Sequence, residues 1–524
     1  MSCTVLKIRE AVKVLIALSL VLWMYLVYLW INRSHTYWSR KGVYQLPPHW
    51  LLGNVRDLNL GKISSKEYSK YVYREMQNRG VTLLGIYNFY EPLLVVKDID
   101  LMRRILHTDF EYFSDRGSFC NEKVEPHSGH VANVTGDRWK YLRRLLRVVF
   151  SSAQMATIFE LVNRCSCKLV TQLQHYSDAN KAVNVQDVLA RFTTDVIGNV
   201  ILGMECDTIG NFNLDILSNG KKMTKRSTWN RIIRDLVPRF PKSLVNALHL
   251  RLSNREAVEF FQKLTQENIG RRERCGTSRE DILEVLLELR NKASESQEYG
   301  NGMSNDTFRF TSEDVVSHMM LFYGAGFETS AAVSAFTLYE LAKNRDVQSK
   351  LRNEIDCALA GNDQYNYDLV DGIGYLDNCI NEAMRRHSAA TTFLRRRCVK
   401  NYAVKDSNLV IERGTRVWFP MSGFGADPEY FPDPDRYDPE RFNSENRKNR
   451  PNVVFLPFGD GRRKCIGFRF GLLQVKVGIL EIIRNFELSL RSSSSATLEH
   501  ATETFVPSPK DGVWVHLKRL NNNC

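Results

Sequence analysis

No cysteine framework, long run of like charge, tandem repeat or low-complexity stretch organises this sequence. The 11 cysteines are odd in number and irregularly spaced. That excludes a small disulfide-stapled scaffold and points to a reducing compartment, with most cysteines acting as small buried hydrophobes. Cys165 and Cys167 form a lone C-x-C, short of the four matched ligands of a structural zinc site. With 30 glycines and 15 prolines in 524 residues, a low-complexity chain is excluded. The net charge of +13 is spread along the chain without a basic run or a nucleic-acid motif. Nucleic acid is therefore excluded as a partner, and a basic face for an acidic protein or a membrane surface is left. No G-x-G-x-x-G occurs on a strand-to-helix turn and no Walker pattern occurs, so the chain does not itself take hydride from a dinucleotide.

What is present begins with an uncharged apolar run from Val14 to Ile31. Its length suits one transmembrane helix, with Trp23, Tyr25, Tyr28 and Trp30 as interfacial anchors. A cleaved signal peptide would have a shorter apolar core and a small-residue cleavage site. Basic residues flank the run on both sides, so charge alone leaves its orientation open. The sequons at Asn32, Asn133 and Asn305 are incidental if the body faces the cytosol. We expect an anchor over residues 1–33 and one catalytic domain over 34–524. Helical periodicity dominates that domain. Short extended runs occur at Val81–Tyr87, Leu93–Val96, Leu409–Glu412 and Val513–Leu517. The fold class expected is mainly α (α+β) with small sheets. Two polar stretches, Ser294–Asp306 and Arg491–Ala496, are expected to be surface loops.

The sharpest local pattern is Phe458-Gly-Asp-Gly461-Arg-Arg463-Lys-Cys465-Ile-Gly467. Gly461 and Gly467 let the backbone approach a large flat partner. Cys465 stands before an amphipathic run with Ile466, Phe470, Leu473, Val477 and Leu480 on one face. A helix N-terminus there stabilises a thiolate. Arg463 adds a cation able to pair with a carboxylate. A second pattern, Gly324-Ala-Gly326-Phe-Glu328-Thr329-Ser330, lies inside a helical stretch from about Glu313 to Asn344, opened by a capping box at Thr311-Ser-Glu-Asp314. Two glycines in a helix interior call for a reason, either tight helix packing or close approach of a ligand. A mid-helix threonine can bond the carbonyl four residues back and bend the helix, opening a pocket. Glu382-Ala-Met-Arg385 places an acid and a base on one helical face, and Trp139-Lys-Tyr-Leu-Arg143 does the same with two hydrogen-bond donors.

Together these patterns resemble the cytochrome P-450 superfamily, over nearly the whole chain. Ala190-Arg-Phe-Thr-Thr-Asp-Val-Ile-Gly198, Leu338 to Asn344 and Asp427 to Pro434 are similar to its insect microsomal branch. The resemblance implies the cytochrome P-450 fold and a haem b cofactor with Cys465 as axial iron ligand. Phe458, Gly461, Arg463 and Gly467 would belong to the haem loop. Trp139, Arg143 and Arg396 would bind haem propionates. Thr329 and Glu328 would occupy the proton-delivery positions. A structural triad is implied in Glu382, Arg385 and Arg441, the last from Pro439-Glu-Arg441-Phe442. Phe322, Phe327, Phe393 and Phe505, with Ala389 to Thr392, would line the substrate pocket.

The activity implied is insertion of one atom of O₂ into a lipophilic small molecule. Electrons from NADPH would arrive through a separate NADPH–cytochrome P-450 reductase, with cytochrome b5 a second candidate donor. That places the catalytic domain on the cytosolic face of the endoplasmic reticulum. Rival readings are a haem-thiolate isomerase or dehydratase needing no reductase, and a catalytically decayed haem-binding protein. The threonine at 329 argues against the first, whereas a catalytically decayed member would look similar in sequence. Arg462 and Lys464 on the haem loop, with Arg138, Lys140, Arg144 and Arg147, would offer a basic docking face to the reductase. Four departures from the family pattern stand out. Ser388 and Arg462 replace usual prolines, the hinge after the anchor is reduced to Leu46-Pro-Pro-His49, and Gly425-Ala426 stands where a histidine is usual.

Overall fold

The computed structural model describes the chain apart from residues 1, 226, 277, 299–307, 361–364, 390, 492–497, 505 and 521–524. Helix α1 (Ser2–Ser34) contains no glycine or proline and runs unbroken through the apolar segment. Leu15, Leu18, Leu22 and Trp23 are all exposed, whereas Ile31 is buried at the junction with the body. A core helix would bury such side chains, and Arg9–Ser34 is long and apolar enough to cross a membrane. The chain then docks at once. Trp38 is fully buried, and Tyr44 and Leu46 exchange backbone hydrogen bonds with Gly85.

The body is helical around a small sheet. Helix α2 (Ser65–Asn78) opens with a complete capping box between Ser64 and Glu67. Strands β1 (Leu83–Asn88) and β2 (Glu91–Val96) form a hairpin. Helices α3 (Gly136–Leu145), α4 (Ser152–Asp178) and α5 (Val185–Val200) follow, with a two-residue strand β3 (Val183–Asn184) before the last. Helix α6 (Thr228–Leu236) lies on the surface. Helix α7 (Ser312–Lys343) crosses the core and starts at the expected box, Thr311 Oγ1 accepting from Asp314 N and Asp314 from Thr311 N. Helix α8 (Gly374–His387) precedes β4 (Leu394–Arg397) and β5 (Arg416–Phe419). The first sheet runs β1-β2-β5-β4, with β2 and β5 parallel. Helix α9 (Phe468–Asn485) leads into β6 (Phe486–Leu490), which with β7 (Trp514–Arg519) and β3 makes the second sheet. The expected extended runs near 81–87, 93–96, 409–412 and 513–517 all contain strand, the third only as Val410–Ile411 paired with Tyr402–Ala403.

One loop expectation is corrected. A helix spans Ile282–Glu298, so residues 294–298 continue it. Glu295, Gln297 and Glu298 are good helix formers, and polarity alone does not break a helix. The rest of that stretch to residue 306, and residues 492–496 of the second polar stretch, lie outside the described residues.

The departure at Ser388 has a clear local consequence. Ser388 caps α8 at φ +52°, and its N–H donates to Met384 O at 2.8 Å. A proline ring holds φ near −65° and could not occupy this left-handed position.

Candidate active site

The loop before α9 is closed on itself. Cys465 N donates to the carbonyl of Phe458 at 2.8 Å. Gly461 has φ +67°, and a Cβ there would stand 2.1 Å from the carbonyl oxygen of Leu106. Its glycine is thus required by the chain's own backbone, which corrects the expectation of a flat partner at this position. Gly467 has ordinary φ and room beside Phe150, so nothing in its packing demands glycine.

Four arginines surround this loop. Arg463 is buried; it donates to the carbonyls of Ser114 (2.8 Å) and Val134 (3.1 Å), and stacks over Trp139 at 3.9 Å. Arg116 donates to the carbonyl of Arg463 at 2.7 Å. Arg396, buried in β4, reaches the carbonyl of Asp460 at 3.1 Å, while its Nε has no partner. Arg143 completes the group from α3, one turn beyond Trp139. Among the described residues, the sole ion pair within this collar is Arg463 to Asp115 at 3.7 Å. Burial, and then repulsion from Arg116, pushes both Arg396 and Arg463 down to about 9. Burial likewise lowers Arg116 and Arg143.

Cys465 lies in the field of Arg116, Arg143 and Lys464, and the backbone N–H of Gly467 also favours its thiolate. Burial nevertheless outweighs these and raises the thiol. Desolvation thus opposes the thiolate that the helix N-terminus favours, unless a cation binds the sulfur directly. The residue keeps accessible surface, as does one stripe of α7.

On α7, Thr329 Oγ1 donates to the carbonyl of Ala325 at 2.6 Å, as the sequence suggests, while the helix stays continuous. Leu321, Gly324, Ala325, Glu328 and Thr329 form one partly accessible stripe at helical spacing. Gly324 has only Met223 near it, at 3.7 Å from an added Cβ, whereas one at Gly326 would meet Ile197 of α5 at 3.1 Å. Of the two glycines, Gly326 thus serves helix packing and Gly324 leaves open space.

The pocket expectation is corrected for the phenylalanines. Phe322 is buried edge-on to Phe150, and Phe327 is buried in stack with Tyr323; both point away from the accessible stripe. A helix turns about 100° per residue, so neighbours of the stripe fall into the core. Phe393 packs between Tyr68 and Trp418 in the sheet-side cluster. Phe505 and Ala390 lie outside the described residues.

Behind the loop, Glu382 and Arg385 are almost fully buried and joined by bonds of 2.7 and 2.8 Å. Arg441 Nε stands 3.4 Å from Glu382, whose carboxylate also accepts from Asp438 N. Arg385 donates further to the carbonyls of Gly425 and Pro434. Arg116 and Asp115 escaped the sequence reading, because Phe113-Ser-Asp-Arg-Gly117 has no periodicity or spacing that marks it.

This donor set fits a planar dianion with a thiolate-bound metal. One cysteine faces a collar of four cations holding one carboxylate, and a buried guanidinium nitrogen lacks a partner. Cys465 would hold the iron of a haem, and Arg116, Arg143 and Arg396 would hold its carboxylates.

The family model described as "Cytochrome P450" matches residues 44–514. The chain is 32% identical to Cytochrome P450 6a2 of Drosophila melanogaster over 512 residues, 97% of this chain and 100% of that one. It is 33% identical to Cytochrome P450 6k1 of Blattella germanica, covering 93% of each chain. To Cytochrome P450 6A1 of Musca domestica it is 32% identical over 92% of this chain and 94% of that one.

Proposed function

The chain belongs to the cytochrome P450 family, whose members are haem-thiolate monooxygenases, and from that premise we propose that it oxidises a lipophilic small molecule with electrons relayed from NADPH by a separate reductase. When bound, the haem supplies the activation of O₂ from which one oxygen atom is inserted. Cys465 would hold its iron, on a loop closed by the backbone bond from Cys465 N to Phe458 O. Arg116, Arg143 and Arg396 would hold its carboxylates, while Arg463 on Trp139 fixes the loop.

The observation that carries the reading is this collar: Arg116, Arg143, Arg396 and Arg463 gather about the loop that holds Cys465, with one carboxylate paired to them among the described residues. Thr329 commits its own proton to Ala325 O, so its oxygen lone pairs are left to hold a water on the accessible stripe. Glu328, adjacent on that stripe, supplies a second polar group for proton movement. Residues 34–524 act as one catalytic domain, and α1 anchors it to the endoplasmic reticulum membrane with the body in the cytosol. The exposed large side chains Trp50, Leu51, Trp229 and Leu248 suit contact with a membrane surface.

Purified full-length protein, mixed with NADPH–cytochrome P-450 reductase, is expected to consume NADPH in a substrate-dependent way. In Cys465→Ser the red-shifted Soret band of the reduced carbon monoxide complex is expected to vanish. Thr329→Ala is expected to keep that band and lose product per NADPH, by an amount on the order of 10²-fold in rate, typical of a lost proton-transfer group. A parent protein with the band but no substrate-dependent NADPH consumption would overturn monooxygenation.

A further inference from the structure

A second set of interior cations lacks carboxylate partners, away from Cys465. Lys66, in the first turn of α2, bonds His500 Nε2 at 3.3 Å. Lys70 follows four residues later on the same helical face. Among the described residues, no ion pair is formed by either lysine. The rings beside them are packed face to face. His387 stacks on buried Phe336 at 4.3 Å, and His500 lies 5.3 Å from Phe336 and 5.7 Å from His387.

The charges that face this cluster come from four elements. On α7, Glu340 is already taken up, by Arg386 Nη1 at 2.6 Å and His387 Nε2 at 2.6 Å. On α2, Glu67 is held in the capping box by Ser64 N and Oγ. On α8, Arg385 is neutralised by Glu382 and Arg386 by Glu340. Asp435 attracts Lys70 from beyond ion-pair distance. The fourth element, the hairpin in which His500 pairs with Pro509, brings only the imidazole. Lys66 and Lys70 are the surplus.

Burial first, then Lys70 and Arg386, brings Lys66 down to about 7. Burial also lowers Lys70. His500 is pushed down to about 2, by burial and then by Lys66, so its ring is neutral at working pH.

We propose that Lys66 and Lys70, with Lys66 positioned by its bond to His500, form a binding site for an oxyanion, a carboxylate or phosphate group, which completes the charge balance of this partly buried cluster. The two ammonium groups stand four residues apart on one helical face, Lys66 held by the His500 ring, and the carboxylates near them are engaged elsewhere. The anion has two possible sources: a small free ion, or an acid group carried by the substrate. The second rests on the proposed monooxygenase reading. It draws on the next turn of α2, where Ser69 Oγ donates to Thr392 O at 3.0 Å. That ties the cluster to the segment expected at the substrate pocket.

The sign of the pH dependence follows. An anion favours the charged amine, so binding above pH 7 takes up a proton at Lys66. Affinity is greatest below pH 7 and falls as pH rises, by up to tenfold per unit while free Lys66 is mostly neutral.

The test is calorimetric titration of the haem-loaded full-length protein with sodium acetate, in buffers of different ionisation enthalpy, and optical titration with decanoate and decanol. Expected are acetate binding with proton uptake at pH 8, weakening at least tenfold in Lys66→Met. In Lys66→Arg the binding is retained and its pH dependence flattened, because arginine stays charged. Decanoate binding tighter than decanol in the parent but not in Lys66→Met assigns the site to the substrate's acid group; acetate binding without that preference assigns it to a free ion. The carbon monoxide spectrum reports the haem in each variant, so loss of the monooxygenase reading is distinguishable from loss of the anion site. Equal anion binding in parent and Lys66→Met, or none of either anion in the parent, overturns the proposal.

Discussion

Two arginine-rich regions lie within this protein, and they are built on opposite principles. Around Glu382, the guanidinium of Arg385 has a buried carboxylate and two carbonyls, and Arg441 shares the same acid. Around Cys465, four arginines share one carboxylate at 3.7 Å, and their remaining bonds go to backbone carbonyls. A buried charge without a counter-ion is costly unless something else supplies it. The first region is thus complete as scaffold, whereas the second is complete only with an anionic ligand. Composition does not separate them; partner accounting does.

Breaking the scaffold side has the largest expected effect. Glu382→Ala leaves Arg385 buried and uncompensated, at an expected cost of about 3–5 kcal/mol in unfolding free energy. Denaturant unfolding monitored by circular dichroism checks it, and a loss below about 1 kcal/mol would put the triad on a par with surface pairs.

The collar is expected to respond in the opposite sense. Arg396→Gln removes a cation that has no carboxylate partner, so the fold without haem should be little changed or slightly stabilised. Haem retention should fall about 10–100-fold, the range for groups that orient a metal cofactor. Haem transfer to an excess of apomyoglobin measures this directly. Equal haem retention in variant and parent would remove Arg396 from the cofactor site.

The smallest effect sharpens the boundary between collar and surface. Arg462 lies exposed over the ring of Phe110, and Lys464 over that of Phe468. Beside them opens a cleft of about 560 Å³ lined by Arg103, Arg104, His107 and Asp460. Reversing both charges to Glu should slow the first electron transfer from the reductase several-fold at low salt. The rates should converge at high salt, since exposed charges are screened within about 8 Å at physiological ionic strength. Stopped-flow reduction at two salt concentrations tests this; identical rates at both would make these residues solvated loop charges.

Much of the site was legible because its chemistry is written locally. Gly461, Arg463 and Cys465 stand at fixed spacing before an amphipathic helix, and Thr311 with Asp314 announces the start of α7. Glu382 and Arg385 are three residues apart on one helical face. The pocket was not legible. Phe322 and Phe327 flank the right turn of α7, yet which face of a helix meets a cleft depends on what packs against the others. Arg116 lies in irregular chain, where no period links it to Cys465.

The sequence alone determined the elements whose causes are local. An unbroken apolar run makes α1, a capping box starts α7, and a loop closed by Phe458 and Gly461 presents Cys465. Only the tertiary structure decided which charges are balanced. Glu340 is spent on Arg386 and His387, Glu382 on Arg385 and Arg441, and among the described residues Lys66 and Arg396 have no acid paired to them. The physical reason is range. Hydrogen bonds of caps and turns close within a few residues, but the electrostatic balance of a buried group is set by whatever distant segments fold against it.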